Sequence, residues 1–549
     1  MYQKNEVIKL QITDLGSDGE GIGKIDGFPF FVKGAVPGDE IEAIVMKVKK
    51  NLAYARLSRI IKASPDRADA PCPHFGKCGG CRLMHLSYEA QLRHKEEKVH
   101  NALVRIGGLK PPAADAPLAA DMPLHYRNKA QYPFGTDAEG KPICGFYAER
   151  SHRIIPAERC LLGDEEDSAI LTKIREWMLE HGIPAYDELS GKGLLRHVLL
   201  RRSRSSGQRM VCLVINAQKL PHAEELCRKL ADLENMHSVC ISVNTKNTNV
   251  IMGEEIRCLW GEERITDSLR CGDDKELFFT ISPLSFYQVN PLQTEKLYSA
   301  ALEYAQLGGG EIVWDLYCGI GTISLFLAGK AGKVYGVEIV PQAVEDAREN
   351  ARRNGIDNAE FFCGAAEDLA PGLLKRARPD IVVVDPPRKG LDAACLETIL
   401  TAAPRRVVYV SCDPATLARD LHILEEGGYR LERYRICDMF PQTSHVETVA
   451  LLSKLSEAKH HIEVKVDMDE LDLPSAEAKA TYKEIQDWVQ EMYGFHVTNL
   501  NIAQVKQKHG IIERENYNKP KSPDSKQPGC PEKKVKAIED AMRHFQMIE

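Results

Sequence analysis

Between residues 280 and 455 the chain alternates apolar runs with helical patterns, and this alternation constrains the fold more than any other feature. Its clearest unit is the apolar run 311–316, which leads into the glycine-rich turn 317–322 and then a helical pattern. Regular strand–helix alternation predicts a doubly wound parallel sheet. Glycines after the first strand let the backbone approach a ligand closely, and the helix start favours polar groups.

A second apolar run ends in Glu338, 19 residues after Gly319, where a carboxylate can accept both hydroxyls of a ribose. The pattern Asp-x-x-x-Gly-x-Gly from Asp315 lacks the third glycine of dinucleotide-binding enzymes, which disfavours a dehydrogenase. It resembles class I S-adenosylmethionine-dependent methyltransferases, and Asp315 adds a second acid near the turn. Ligands of open α/β sheets lie beyond the carboxyl ends of the strands. The residues expected to converge there are Tyr317, Glu338, Asp385 and Cys412.

Cys412 follows the fifth predicted strand of this sheet and is expected to face the methyl donor. Burial as a small apolar residue is the commoner fate of a cysteine, but the predicted position of Cys412 facing the methyl donor favours a chemical role. Uracil C5 is a poor nucleophile, and a thiolate that adds at C6 makes C5 able to attack a sulfonium methyl. A base must then remove the C5 proton so that the thiol can leave. The candidate bases are Glu447 and His445.

Four cysteines nearer the start have the spacing of a metal-ligand set, and they are Cys72, Cys78, Cys81 and Cys160. Four thiolates suit zinc or a [4Fe–4S] cluster. Zinc sites usually pair Cys-x2–4-Cys elements, whereas here three cysteines cluster and one is distant, which favours iron–sulfur. Radical chemistry needs an open iron, which Cys160 would close. We expect a cluster that stabilises the fold or positions RNA.

Residues 1–60 show short alternating strands separated by glycine-rich turns, which predict a small β-barrel of the oligonucleotide-binding type. The motifs 19–24 and 31–39 resemble the TRAM domain, an RNA-binding barrel. A purely structural barrel is the alternative.

The predicted fold class is multidomain α/β. Residues 1–60 form the TRAM barrel, 68–278 a mixed α/β central domain with the iron–sulfur ligands, and 279–456 the methyltransferase domain. Residues 460–549 form an appended helical domain, with helical patterns at 482–493, 499–508 and 532–547 around a Pro/Lys-rich stretch at 518–531. A helix-turn-helix nucleic-acid module and a protein-contact domain are equally open for this last part.

The overall charge of −7 neither supports nor excludes an RNA partner, because local basic patches exist. No apolar run approaches the ~20 residues of a membrane span, and the start lacks the layout of a signal peptide. Sixteen cysteines in such a chain indicate a reducing compartment. A cytoplasmic location without membrane or DNA partners is therefore expected.

Taken together, these motifs resemble the RNA 5-methyluridine methyltransferase family, and most closely its branch with a TRAM domain and a [4Fe–4S] cluster that modifies 23S rRNA. The resemblance covers residues 1–455 and includes the motifs 286–290, 385–390 and 445–448. It implies that Cys412 is the nucleophile and Glu447 the proton acceptor. It also implies the S-adenosylmethionine contacts, which are Gln288, Tyr317, Glu338 and Asp385, and the cluster ligands Cys72, Cys78, Cys81 and Cys160.

Four other functions remain to be weighed against a 23S rRNA target. An N6-adenine methyltransferase needs an aromatic residue after the two prolines, and Arg388 stands there instead. An RNA cytosine-C5 methyltransferase shares the thiol chemistry. A tRNA uridine is less expected, since family members acting on tRNA typically lack the barrel and the cluster. The non-enzymatic alternative is an iron–sulfur RNA-binding protein, which the presence of Asp315, Glu338, Cys412 and Glu447 disfavours.

Overall fold

The computed structural model describes residues 2–272, 275–455, 482–509, 531–545 and 547–548. The chain divides into two compact units, Met1–Glu457 and Ala458–Glu549. In the described residues no helix combines the length and apolarity needed to cross a membrane.

The first unit begins with the strands β1 (Val7–Leu15), β2 (Gly21–Ile25), β3 (Phe28–Lys33), β4 (Glu40–Val48) and β5 (Ala53–Lys62). They close into a barrel in the order β1-β2-β3-β5-β4, so the predicted N-terminal barrel is confirmed. Alternate residues of β1 are buried because successive side chains of a strand point to opposite faces. Gly23 is required in β2, since a Cβ there would lie 2.5 Å from the carbonyl oxygen of Gln11.

A second sheet occupies the middle of the chain. Its elements are α1 (Tyr88–Arg105), β6 (Lys129–Thr136), β7 (Pro142–Tyr147), β8 (Ile154–Pro156), α2 (Asp167–Glu180), β9 (Leu195–Arg202), β10 (Arg209–Ile215), α3 (Ala223–Ala231), β11 (Met236–Val243) and β12 (Glu255–Gly261). Seven strands pair in the order β12-β11-β10-β9-β6-β7-β8. The hairpin of β13 (Ile265–Arg270) and β14 (Glu276–Ile281) follows.

A third sheet carries the predicted strand–helix alternation. Its elements are α4 (Pro291–Ala305), β15 (Ile312–Leu316), α5 (Thr322–Ala328), β16 (Lys333–Glu338), α6 (Pro341–Arg353), β17 (Ala359–Cys363), α7 (Ala366–Arg376), β18 (Ile381–Val384), α8 (Ala393–Ala402), β19 (Arg406–Ser411), α9 (Pro414–Glu426), β20 (Tyr429–Cys437) and β21 (Glu447–Lys454). The strand order is β17-β16-β15-β18-β19-β21-β20. The first five run parallel, and β21 pairs antiparallel with both neighbours.

Helices cover both faces of this third sheet, which explains why its strands are apolar throughout. All four residues of β18 are buried, with Ile381 and Val383 packed in one core and Val382 and Val384 in the other. Parallel strands buried on both faces lose the polar alternation of a half-exposed strand. The methyltransferase-type sheet predicted from the sequence is confirmed.

Helix α1 follows the cysteine-bearing segment (residues 72–87) and is joined to the third sheet by a buried ion pair. The ammonium of Lys95 lies 2.6 Å from Oδ1 of Asp438, just after β20, and both side chains are fully buried. The same ammonium donates to the carbonyl oxygen of Phe440 at 3.0 Å. Burial lowers the pKa of Lys95, while Asp438 opposes that shift.

Replacing Lys95 by Met should therefore strongly destabilise the first unit. The change leaves the Asp438 carboxylate buried without its ion partner, and breaking such pairs costs about 3–5 kcal/mol. Denaturant unfolding monitored by circular dichroism measures the loss. Arg93→Met on the same helix is the matched control, because the Arg93–Asp66 pair is exposed and should contribute less than about 1 kcal/mol. Equal losses in the two variants would contradict the importance of the buried pair.

The second unit contains the helices α10 (Tyr482–Tyr493), α11 (Asn499–Lys508) and α12 (Glu532–His544). They enclose a small apolar core of their own, and its buried members are Ile485, Val489, Val497, Ile502, Val505, Ala537, Ile538, Ala541 and Met542. The Pro/Lys-rich stretch predicted at 518–531 falls outside the described residues except for its last position.

Candidate active site

A cavity of about 760 Å3 lies at the carboxyl ends of β15, β16, β18 and β19. The structure brings together here all six residues predicted for catalysis and cofactor binding, which are Gln288, Tyr317, Glu338, Asp385, Cys412 and Glu447. This is the edge at which ligands of open α/β sheets bind.

The glycine-rich turn after β15 forms one wall of this cavity. Three of its residues have a left-handed backbone, with φ of 74° at Tyr317, 57° at Gly319 and 83° at Gly321. The Gly319 N–H donates to Oε2 of Glu338 at 3.1 Å, and the Val340 N–H donates to Oε1 at 2.9 Å. These bonds fix the Glu338 carboxylate at the cavity wall, and its remaining lone pairs stay available for hydroxyl donors.

Asp315 does not lie in the cavity, although the sequence places an acid near the turn. Its side chain is fully buried beneath the turn, where Oδ2 accepts a 2.5 Å hydrogen bond from the Ser324 hydroxyl of α5. Burial raises the pKa of Asp315 to about 7. Its visible role is to connect the end of β15 with α5.

Cys412 is half-buried in the short connection between β19 and α9. Asp413 caps that helix, because its Oδ1 accepts hydrogen bonds from Ala415 N at 2.9 Å and Thr416 N at 3.0 Å. Burial, followed by the charges of Glu447 and Asp385, raises the pKa of the Cys412 thiol to about 11. The side chain is therefore mainly a thiol at neutral pH, and a thiolate has to form for the sulfur to react.

Two carboxyl groups with raised pKa values stand beside this thiol. Glu447 is the first residue of β21 and is buried. Burial raises its pKa well above the usual range, Asp385 adds to the shift and Arg388 opposes it. Burial raises the pKa of Asp385 to about 7. Titratable groups shifted in this way, next to a nucleophilic side chain, are typical of proton-transfer sites.

His445, the other candidate base, also lines the cavity. Burial and the charges of Arg388 and Lys98 lower its pKa to about 4, so the imidazole is neutral at pH 7. Its backbone N–H donates to Oγ1 of Thr443 at 3.3 Å.

Several cavity residues were not predicted from the sequence, among them Arg127 and Phe440. Arg127 precedes β6 in the middle of the chain, and its guanidinium lies 6.0 Å from the ring centre of Phe440, which follows β20. Neither belongs to a strand–turn motif, so no local pattern could have indicated them.

The four predicted cluster ligands line a separate cavity of about 400 Å3. Cys72, Cys78 and Cys81 lie in the segment before α1, and Cys160 follows β8. In the described ranges, no group of three or more His, Cys, Asp or Glu side chains is arranged to hold a metal ion. Arg127 lines this cavity as well as the larger one.

Comparisons with known proteins identify the family. Residues 87–455 match the family model of tRNA (uracil-5-)-methyltransferases, and residues 3–58 match the TRAM domain. A Halalkalibacterium halodurans protein described as an uncharacterized RNA methyltransferase is 49% identical over 451 residues, which are 82% of this chain and 97% of that protein. A Clostridium tetani protein with the same description is 48% identical over 459 residues, covering 83% and 98%.

Among solved structures, the chain is similar to the Pyrococcus abyssi tRNA (uracil-54, C5)-methyltransferase in complex with S-adenosyl-L-homocysteine. The TM-score is 0.65 at 29% identity, over 81% of this chain and all of that one. The fold and both family matches agree. The chain belongs to the RNA uracil-5-methyltransferase family, whose members are S-adenosylmethionine-dependent, and it carries a TRAM domain.

Proposed function

We propose that this protein methylates C5 of a uridine in 23S rRNA and that Cys412 bonds covalently to C6 of the base. The observation that carries the proposal is the single cavity that Cys412 and Glu447 share with the four candidate cofactor contacts. A thiol, a carboxyl group with a raised pKa and a nucleotide-sized space are the parts that this reaction requires.

The proposed steps use the groups of the cavity as follows. The Cys412 thiol loses its proton to water, Arg388 favours the thiolate, and the sulfur adds to C6 while the electron pair moves to C5 and O4. When bound, S-adenosylmethionine would supply an electrophilic methyl group to C5, and the S–CH3 bond would break to leave neutral S-adenosylhomocysteine. The Glu447 carboxylate then takes the C5 proton, the C5–C6 double bond re-forms and the thiolate leaves.

The cofactor would occupy the part of the cavity beside the glycine-rich turn. Glu338 would accept the ribose hydroxyls, as acids at the end of the second strand do in related sheets. Gln288, Tyr317 and Asp385 line the same space and would contact the rest of the molecule. A hydrogen bond fixes the backbone of Gln288 at this wall, because its carbonyl oxygen accepts from Asn128 Nδ2 at 2.9 Å.

Glu338→Gln should weaken binding of S-adenosylmethionine about 10- to 100-fold. An amide keeps the shape but loses one acceptor and the charge that strengthens the ribose contact, a loss of ~1.5–3 kcal/mol. Calorimetric titration of the cofactor without RNA measures the affinity directly. Glu360→Gln on β17 is the control, because that carboxylate pairs with Arg376 outside the cavity and its loss should leave affinity unchanged. An unaltered affinity in Glu338→Gln would remove this residue from the cofactor site.

We propose that the cysteine cavity holds a [4Fe–4S] cluster, as the spacing of the four cysteines and the resemblance to the family branch suggest. All four thiols line one space of about 400 Å3. A cluster needs four thiolates around a larger volume than zinc does. Anaerobic purification tests this: a colourless protein with one zinc per chain would exclude the cluster.

The base must leave its stack to reach this cavity, so the target is a single-stranded or flipped-out uridine. The TRAM barrel and the four cysteines support a 23S rRNA target through the resemblance of the sequence to that branch. A tRNA uridine is the second candidate, because the Pyrococcus abyssi enzyme named for tRNA is similar over 81% of this chain.

The deciding experiment offers the purified protein two unmodified transcripts, 23S rRNA and a tRNA pool, together with labelled S-adenosylmethionine. We expect 5-methyluridine in the 23S rRNA, identified by mass spectrometry of nucleosides. Label confined to tRNA would replace the proposed substrate by the second candidate. The appearance of 5-methylcytidine would overturn the proposed base, and absence of label in both would favour the non-enzymatic alternative.

A further inference from the structure

The loop that delivers Glu447 is held by residues far away in the chain. This β20–β21 loop comprises residues 438–446 and ends directly before Glu447. Its residues Phe440 and His445 line the catalytic cavity. Whatever holds this loop therefore also determines where the carboxyl group of Glu447 stands relative to the Cys412 sulfur.

Gln442 in the middle of the loop has an unusual backbone that reciprocal hydrogen bonds hold in place. Its φ is 70°, a left-handed value that costs energy for a residue with a side chain. The Gln91 side chain of α1 accepts a 3.0 Å hydrogen bond from Gln442 N and donates another, also 3.0 Å, to Gln442 Oε1. Both side chains are buried. This pair compensates for the strained backbone.

The carbonyl of Gln442 is bound to the cysteine-bearing segment. It accepts hydrogen bonds from Arg82 N at 2.9 Å and Leu83 N at 3.0 Å. These two residues directly follow Cys81, which lines the cysteine cavity. The cysteine segment and the loop before Glu447 thus meet at one peptide group.

The carbonyl groups of neighbouring loop residues also accept hydrogen bonds from residues outside the third sheet. The Tyr126 hydroxyl donates to the carbonyl oxygen of Pro441 at 3.1 Å, and Lys98 donates to that of Ser444 at 2.9 Å. Tyr126 also packs in the small apolar cluster that includes Cys81 and Cys160. The loop is therefore positioned by the region that carries the four cysteines.

We propose that Gln442 and Gln91 are positioning residues through which the cysteine-bearing segment places Glu447 for removal of the C5 proton. The inference rests on the proposed covalent reaction. Proton removal is the only step that needs Glu447, and a shift of about 1 Å in a reacting group can cost 10²-fold in rate. A loosened loop thus slows release of the product more than formation of the thiol–RNA bond.

Gln91→Leu tests the proposal, because it removes both reciprocal hydrogen bonds while keeping the volume of the side chain. We expect turnover on unmodified 23S rRNA transcript to fall about 10- to 100-fold. A covalent protein–RNA adduct carrying the methyl label should accumulate on ordinary uridine RNA and survive a denaturing gel. Hydrogen exchange should also become faster in peptides that contain Arg82, Leu83 and Gln442.

Asn358→Ala is the matched control, since Asn358 Nδ2 donates two part-buried hydrogen bonds of 2.9 Å to the carbonyl oxygens of Ala328 and Ala331, away from the loop. It should not accumulate adduct. Gln442→Gly and Gln442→Ala provide a second comparison. Both lose the side-chain pair, but glycine accepts the positive φ, so alanine should trap more adduct than glycine.

The outcomes separate the inference from the function on which it rests. Should Glu447→Gln and Gln91→Leu both leave no adduct while uridine is still methylated, Glu447 is not the proton acceptor, and the assignment on which the inference rests fails. When Glu447→Gln accumulates adduct and Gln91→Leu does not, the positioning role is wrong and Gln91 is merely structural. Adduct in Gln91→Leu together with faster exchange, and neither in Asn358→Ala, is the result that we expect.

Discussion

Cys412→Ser is expected to lower 5-methyluridine formation by at least about 10⁴-fold. A serine hydroxyl at the end of β19 has almost the same shape but is far too weak a nucleophile to add to C6 at neutral pH. The variant should also form no adduct with RNA containing 5-fluorouridine, in which fluorine replaces the proton that must leave. Methyl transfer and denaturing gels of the fluorinated RNA measure the two effects.

The controls for this variant separate lost chemistry from lost structure. Cys363→Ser changes an exposed cysteine at the end of β17 and should keep full activity. Cys412→Ser should still bind S-adenosylmethionine like the natural protein, since none of the carboxylate contacts proposed for the cofactor is altered. Methylation by Cys412→Ser at a normal rate would refute a covalent reaction.

The methyltransferase sheet and most of its site were predictable from the sequence because short-range patterns determine them. These patterns follow one another closely in the chain. They are the apolar strand β15, the turn with Gly319 and Gly321, and Glu338 at the end of β16. The rule that ligands lie at the carboxyl ends of parallel strands then brings Asp385 and Cys412 into the same place.

Asp315 shows what that reasoning leaves open. It stands at the end of β15 among residues that line the cavity, yet its carboxyl group is buried against Ser324. The side chains at a strand end can point toward the ligand or into the layer below. That choice depends on the packing of α5 over the strand, which a strand-end motif does not reveal.

The partners from α1 that hold the β20–β21 loop through hydrogen bonds and an ion pair could not have been predicted from the sequence. Gln91 and Gln442 are 351 positions apart, and Lys95 and Asp438 are 343 positions apart. Each looks like an ordinary polar residue in its own segment. Only the packing of α1 against the third sheet turns them into buried partners, and buried polar groups must find such partners.

Glu447→Gln is expected to stop the reaction after methyl transfer. The amide has the size of the carboxyl group but cannot take the C5 proton, so the methylated base stays bonded to Cys412. Overall turnover should fall about 10²- to 10⁴-fold, the usual contribution of a general base. The adduct should form on ordinary uridine RNA and carry the methyl label, which a denaturing gel followed by mass spectrometry detects.

His445→Gln decides between the two bases that share the cavity. A base works best when its pKa is near the working pH. Burial and the nearby cations lower the pKa of His445 to about 4, which makes it a weak base, whereas burial and Asp385 raise that of Glu447. The histidine variant should therefore release its product, with at most a modest loss of rate. Trapped adduct in His445→Gln, together with normal release by Glu447→Gln, would transfer the role of proton acceptor to the histidine.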